Sequence, residues 1–433
     1  MTPFGIGPWL NTVHASDEVL TTSVAAKGQP HYDVAIVGAS IAGCTAATFL
    51  ARRGLSVALI EKTEDPNAFK KVCTHFIQSS ATPTIERLGI SRSIEEAGGI
   101  RNSLELWTRW GWIRLKAETH GYTIRRQKLD PMMRRLATST AGVDYLSGRE
   151  AEDLVFEGHR VCGIRIQTRG GSVEEITTRL VIGADGRNSR VAEISGLPTI
   201  VTPNNRFVYF AYYRNLPLTS GVTTQTWFLE PNLDAAYAAP VDDGLTLLAA
   251  LPLKTKLDGF RSNLEERFQA YLGTLPDGPN IGDGERVSEF RGILDVPNIK
   301  RVESRPGLAL VGDAALASDP LAAVGCGWAF QSAEWLADIV AEALLSKDDA
   351  SVDRALNQYC KIHDSSIGPH QSVIASFSTG RPYTTLERML YRGATSDPAI
   401  SNALELLFSR KAVPEKVLTP SVLARLQKFS AEG

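Results

Sequence analysis

The 433-residue chain has no apolar run of about 18 residues, so no membrane-spanning helix is expected. Its first 30 residues lack a basic stretch followed by an apolar one, which argues against a secretory leader. Cysteines are few: Cys44, Cys73, Cys162, Cys326 and Cys360. They are odd in number and no two are close in sequence, which excludes a disulfide framework and a zinc spacing. A reducing, cytoplasmic setting is expected. Charge of one sign is also lacking. The 46 basic and 48 acidic residues leave a net charge near −2, so no nucleic acid or anionic membrane is expected as a partner. There is no internal repeat and no low-complexity tract.

What is present begins at His31. Asp33 to Val37 is a short apolar run of strand length, followed by a glycine turn. Cys44 to Arg53 is alanine-rich and reads as a helix stopped by Gly54. Leu55 to Ile60 reads as a second strand ending at Glu61. Strand, helix and strand in so short a stretch predict a parallel β-α-β unit. The residues before it hold Gly5, Gly7, Pro8, Gly28 and Pro30 and little periodicity, so residues 1–30 are read as an extension outside the fold.

Three motifs carry chemistry. The first is Gly38-Ala39-Ser40-Ile41-Ala42-Gly43. A strand turning sharply into a helix aims free N–H groups at a pyrophosphate. Gly38 permits the turn, and Gly43 lets the helix pack on the sheet. Ser40 replaces the middle glycine and is still small enough for close backbone approach. Glu61, followed by Lys62, stands 18 residues after Gly43, where a carboxylate binds ribose hydroxyls. An acid there disfavours a phosphorylated ribose such as that of NADP. The second motif is Val181 to Ser189, an apolar strand ending in Asp185-Gly186. The third is Leu310 to Ala315 with Gly312 and Asp313, then Asp319-Pro320, then Gly325-Cys326-Gly327 opening a helix. Alone, the second reads as an ordinary turn. In the third, a strand-end aspartate is able to hold a polyol hydroxyl, and a helix N-terminus stabilises nearby negative charge.

Together, over roughly residues 31–345, these motifs resemble the FAD-dependent class A monooxygenases of the para-hydroxybenzoate hydroxylase fold. That superfamily also holds geranylgeranyl reductases and flavin-dependent halogenases. The resemblance implies an α/β fold: a Rossmann-type FAD-binding domain with an inserted β-sheet-rich substrate domain and a helical C-terminal region. It implies that Gly38, Ser40, Ile41, Ala42, Gly43, Glu61 and Lys62 bind the ADP half of FAD. It implies that Asp313, after Gly312, contacts the ribityl chain, and that Pro320, Gly325, Cys326 and Gly327 lie beside the flavin ring. Asp185 is associated with FAD and with NAD(P)H, and Arg126 matches an arginine that touches the flavin region; a surface arginine is its alternative reading. Lys71-x-Cys73 stands where the reductases carry a lysine–cysteine pair, without the two glycines that follow it there. The halogenase Trp-x-Trp-x-Ile-Pro signature is missing.

The expected organisation is an extension (1–30), FAD-binding pieces at 31–103, 127–200 and 301–346, substrate-domain pieces at 104–126 and 201–300, and a helical region at 347–433. No second glycine-rich β-α-β unit and no Cys-x4-Cys pair occur, which argues against the disulfide reductases. The expected activity is FAD-dependent monooxygenation, by hydroxylation or epoxidation, of a small organic substrate of aromatic, isoprenoid or polyketide-like type. NAD(P)H is the expected electron source, O2 the co-substrate, and a separate flavin reductase an alternative supplier. No metal and no catalytic base are assigned. Reduction of isoprenoid double bonds and a non-catalytic FAD-binding role are the alternatives. Trp110 and Trp112 are expected to share a strand face, with Trp107 opposite unless a turn or bulge intervenes, and either wall a substrate pocket or pack a sheet. Cys73 and His75 are read as serving chemistry beside the flavin or as local packing. Trp227 and Tyr237 are further candidates for a substrate wall.

Overall fold

The structure, a computed structural model, describes residues 31–115, 120–168, 170–219, 221, 223–230 and 234–430. The expected extension at residues 1–30 lies outside the described residues. Strand β1 (His31–Val37) is buried from Val34 to Ile36 on both faces, as an interior strand of a parallel sheet must be. Helix α1 (Ile41–Ala51) follows the glycine turn and is buried along its whole length. Strand β2 (Val57–Glu61) pairs with β1 in parallel, which the α1 crossover requires. A hairpin of β3 (Leu104–Thr108) and β4 (Gly111–Leu115) comes next, then α2 (Arg126–Thr138). Strands β5 (Val143–Ser147) and β6 (Val173–Gly183) return to the first sheet. Four strands then run in succession: β7 (Val208–Arg214), β8 (Thr224–Leu229), β9 (Asp234–Val241) and β10 (Leu245–Leu251). Then come β11 (Leu308–Leu310) and six helices: α3 (Gly325–Leu345), α4 (Asp349–Ser378), α5 (Thr385–Ala394), α6 (Pro398–Phe408), α7 (Pro414–Val417) and α8 (Pro420–Leu426).

The first sheet has eight strands, and its parallel core has the order β11-β6-β1-β2-β5, with antiparallel strands at Arg149–Glu157, Arg160–Thr168 and Ser304–Arg305 completing it. Its helix-covered face packs α1, α2 and α3 in one apolar cluster that includes Ile36, Leu59, Phe49, Met133 and Phe330. Its other face carries Ala35, Val37, Ile60 and Val181 against Ile164, Trp328 and Ile374. The second sheet has the order β7-β10-β9-β8-β3-β4. Strand β3 joins β8 in parallel, so chain from either side of β6 completes one sheet. One face of it meets α5 and α6 through Phe228, Leu390, Tyr391 and Leu404. The other meets Phe260, Phe268 and Tyr271. Among the described residues no helix is long and apolar enough to cross a membrane.

The tryptophan expectation is corrected. Strand β3 ends at Thr108 and β4 begins at Gly111, so Trp110 lies in the turn. Trp107 and Trp112 are directly opposed across the hairpin and share its face. Trp112 packs edge-on against Trp227 at 5.5 Å, while Trp110 sits on the other face, 6.3 Å from Tyr383. Period-two alternation holds only within one strand, and the turn resets it. These tryptophans pack sheet faces.

Candidate functional site

A cavity of about 920 Å³ opens at the carboxyl ends of the first sheet's strands. Gly38 follows β1, Glu61 ends β2, Asp185 follows β6 and Asp313 follows β11, and all four line it. Strand β1 sends its crossover to β2 on one side and meets β6 on the other, so the cavity stands at the point where ligands bind in open α/β sheets.

The glycine turn is forced by contact. Gly38 has φ +103°, and a Cβ there would lie 2.5 Å from the Ala184 carbonyl oxygen. A Cβ on Gly43 would lie 1.8 Å from the Gly38 carbonyl oxygen. Helix α1 is therefore pressed onto the turn with Ser40, Ile41 and Ala42 on the cavity wall. Ser40 stands at its N-cap without capping it, because the Ser40 hydroxyl instead accepts from Arg126 Nη2 at 2.6 Å. Helix α3 also starts uncapped, at Val324, with Gly325 and Cys326 on the same wall. Two uncapped helix N-termini give the cavity donors and positive potential at two places.

Glu61 accepts from the Ala39 amide at 2.8 Å and the Thr63 amide at 3.0 Å. Beside it, Lys62 lines the wall. Arg126 is buried and ties three segments together. It donates to Asp130 at 2.6 Å, to Ser40, and to Cys326 Sγ at 3.8 Å. Burial is the largest influence and opposes its charge, but Asp130 together with Cys326 and Cys73 outweighs it and raises the pKa. Lys70 reaches Asp313 at 2.8 Å. Burial would raise the Asp313 carboxyl, yet Lys70 holds it below the ordinary range. Asp185 accepts from Ser189 Oγ at 2.5 Å and the Val191 amide at 3.1 Å, and burial pushes its pKa up. Arg187 fastens this turn to the carbonyls of Pro297 and Ser318. Pro320 begins a short turn, and Ala323 then adopts φ +51° to bring the chain into α3.

Cys73 and Cys326 meet with their sulfurs 3.7 Å apart. The Cys326 thiol, opposed by burial and aided by the His75 amide at 3.2 Å, draws the Cys73 thiol well below its usual pKa. Cys326 is driven up by the same contact and by burial. His75 sits behind this pair at φ +63°. Its Nδ1 accepts from the Arg126 amide at 3.2 Å, so its Nε2 carries the proton and donates to Tyr212 Oη at 2.5 Å. That is a positioning arrangement, with His75 off the cavity wall.

The far wall is apolar. Val208 and Phe210 of β7 and Leu247 and Ala249 of β10 present one sheet face to the cavity, joined by Phe76 and Leu316. Trp227 is core, its indole donating to the Pro276 carbonyl, and Tyr237 donates to the Thr74 carbonyl from outside the lining.

Of the residues singled out in the sequence, Gly38, Ser40, Ile41, Ala42, Glu61 and Lys62 line this cavity. So do Arg126, Asp185, Asp313, Pro320, Gly325 and Cys326. Gly43, Gly312 and Gly327 stand outside the lining and serve packing. Gly312 faces Ala42 and Ala329, and Gly327 faces Ala81 and Gln78. Lys71 is exposed and off the lining, whereas its neighbour Lys70 lines the wall. Lys70, Asp130 and the Cys73–Cys326 contact were missed. Only Asp130 had a signal, four residues after Arg126 on one helix.

Residues 31–241 match a family described as FAD binding domain. The chain therefore carries an FAD binding domain over these residues. It is 26% identical to a digeranylgeranylglycerophospholipid reductase of Picrophilus torridus, over 73% of this chain and 80% of that one. In fold it is similar to the flavin-dependent brominase Bmp2, with TM-score 0.76, 17% identity, and coverage of 92% and 98%. It is similar also to pqsL, a probable FAD-dependent monooxygenase from Pseudomonas aeruginosa, with TM-score 0.66, 18% identity, and coverage of 87% and 99%. The cavity fits the dinucleotide that such a domain binds. An uncapped helix start faces it near a strand-end carboxylate, and its length runs from Glu61 to the second helix start at Gly325. Among the described residues no cluster of three metal-ligating side chains is present.

Proposed function

We propose that the chain is an FAD-dependent monooxygenase of an apolar organic substrate, aromatic or isoprenoid/polyketide-like. The observation that carries this reading is the apolar face of β7 and β10 on the same cavity as the two uncapped helix starts. When bound, FAD supplies two-electron redox chemistry and, once reduced, activation of O2. The α1 amides after Ser40 hold the pyrophosphate, Glu61 and Lys62 the adenosine side, and Asp313 the ribityl chain. Pro320, Gly325 and Cys326 border the ring, where the α3 start favours negative charge. Asp185 and Arg126 keep the surrounding segments in place. Val208, Phe210, Leu247 and Ala249 position the substrate and keep water out, which an oxygen-transferring site requires. Electrons come from NAD(P)H directly or through a separate flavin reductase.

A second reading, reduction of isoprenoid double bonds, has its own observation: the Cys73–Cys326 pair places a thiol at the cavity, able to move a proton to a substrate carbon. The deciding experiment supplies FAD, NAD(P)H and a panel of aromatic and isoprenoid substrates under labelled O2. Label in a product, with substrate-dependent O2 uptake, supports monooxygenation. Saturated product formed without O2 overturns it in favour of the reductase. A protein that takes up no FAD overturns both.

A further inference from the structure

We propose that Cys73 and Cys326 form a peroxide-oxidisable dithiol on the cavity wall. This modification site is independent of which reaction the cavity performs. The two cysteines are 253 residues apart in sequence, and the fold brings their sulfurs to 3.7 Å. A bond needs about 2.05 Å between sulfurs, so the two must close by about 1.6 Å from contact. Both line the cavity, so a small oxidant reaches them. No other pair of cysteine sulfurs is in contact among the described residues.

The surroundings give the two thiols different roles. Cys73 accepts a hydrogen bond from the His75 amide at 3.2 Å and meets the Cys326 sulfur at 3.7 Å, and Arg126 donates to Cys326 at 3.8 Å. Cys73 is therefore the thiolate and Cys326 the proton-bearing partner, in line with the opposite directions in which their pKa values move. A thiolate is the attacking form. Hydrogen peroxide is the oxidant. The Cys73 thiolate attacks one peroxide oxygen, an S–O bond forms, the O–O bond breaks, and hydroxide leaves and takes up a proton. The Cys326 sulfur then attacks the Cys73 sulfur; the S–O bond breaks and water leaves with the Cys326 proton. Two thiols become one disulfide and one peroxide becomes two waters. The bond fastens the segment holding Lys70, Cys73 and Thr74 to the start of α3 across the cavity wall.

The test uses the full chain as purified and reads thiols, with no activity assay. The protein is treated with one equivalent of hydrogen peroxide, alkylated in denaturant and mapped by peptide mass. The expected result is loss of two of the five thiols and a single cross-linked species joining the Cys73 and Cys326 peptides. Cys73 is expected to react at least about tenfold faster than Cys162, whose thiol burial pushes up. In Cys326→Ser, Cys73 is expected to stop at the sulfenic acid and be captured by dimedone. In Cys73→Ser, Cys326 is expected to stay reduced. The wild-type map decides even where a variant fails to fold. An intact Cys73 thiol, a Cys73 pairing with any other cysteine, or a dimedone adduct at Cys73 in the wild type overturns the proposal.

Discussion

Replacing Asp130 by asparagine tests how the site is held together. Arg126 and Asp130 are an i, i+4 pair on α2 at 2.6 Å, with side chains only 6% and 2% exposed. Desolvation of both ions is already complete in the native state, so removing one charge strands the other. Stranding a buried partner costs about 3–5 kcal/mol. Asparagine keeps an oxygen for the Lys70 amide, which Asp130 accepts at 2.9 Å, so the charge is what the substitution removes. Urea m-values are about 1–3 kcal/mol per molar for small proteins and grow with chain length, so in this chain the unfolding midpoint falls by about 1 M. The assay is urea unfolding followed by tryptophan fluorescence and by far-UV circular dichroism. A companion double variant, Arg126→Met with Asp130→Leu, removes both ions and is expected to recover most of the stability, since well-packed apolar replacements of buried pairs are often neutral. It is not expected to recover FAD affinity, because Ser40 and Cys326 lose the guanidinium that joins them. A loss under about 1 kcal/mol in Asp130→Asn, or a double variant no more stable than the single, refutes the account of Arg126 as a buried cation held chiefly by Asp130.

Three further outcomes are expected. Gly43→Ala places a Cβ 1.8 Å from the Gly38 carbonyl, so α1 must move off the turn. Overpacking of this kind costs about 1–3 kcal/mol or more, and the FAD content of the purified protein, read by visible absorbance, should fall sharply; wild-type content would contradict the tight turn. Glu61→Ala leaves the Ala39 and Thr63 amides without their acceptor and weakens FAD binding by about 1–3 kcal/mol in a titration of the apoprotein, whereas an unchanged Kd would show that the turn holds itself. Burial, then Arg410, lowers the pKa of His370 from 6.5 to about 3. The native state thus resists a proton that the unfolded chain accepts. Its contribution is full above about pH 6.5 and is lost at about 1.4 kcal/mol per pH unit as pH falls toward 3. His370→Gln should flatten that acid-side decline, and urea midpoints of both proteins falling in parallel from neutral pH to pH 4 would exclude it.

The legible parts of this fold are those that the local chain dictates. Asp33 to Glu61 announces a parallel unit because a strand, an alanine-rich helix and a strand leave no other connection. Gly38 and Gly43 were readable because the steric demand comes from the turn itself and from the strand it lies on. Three motifs at strand ends then indicated one cavity, because a parallel sheet puts all its carboxyl ends on one side.

Other features depend on what is brought together from afar, and there the sequence is mute. Lys70 stands in an irregular segment, and only the fold sets it 2.8 Å from Asp313, 243 residues later. Trp110 shows the same limit at short range. Counting by twos gives its face only if the strand continues, and two residues of turn send it to Tyr383 instead. Cys326 is the sharpest case. In sequence it reads as a small residue between two glycines that must pack closely. The start of α3 sets its place in that helix's first turn, and the left-handed His75 turns the chain just after Cys73. Neither constraint mentions the other, yet both end at the same wall. The sulfur contact therefore follows from the docking of α3 against the segment after β2, so a substitution that shifts either backbone, such as removal of the His75–Tyr212 bond, should open the pair before it alters either cysteine's own helix or turn.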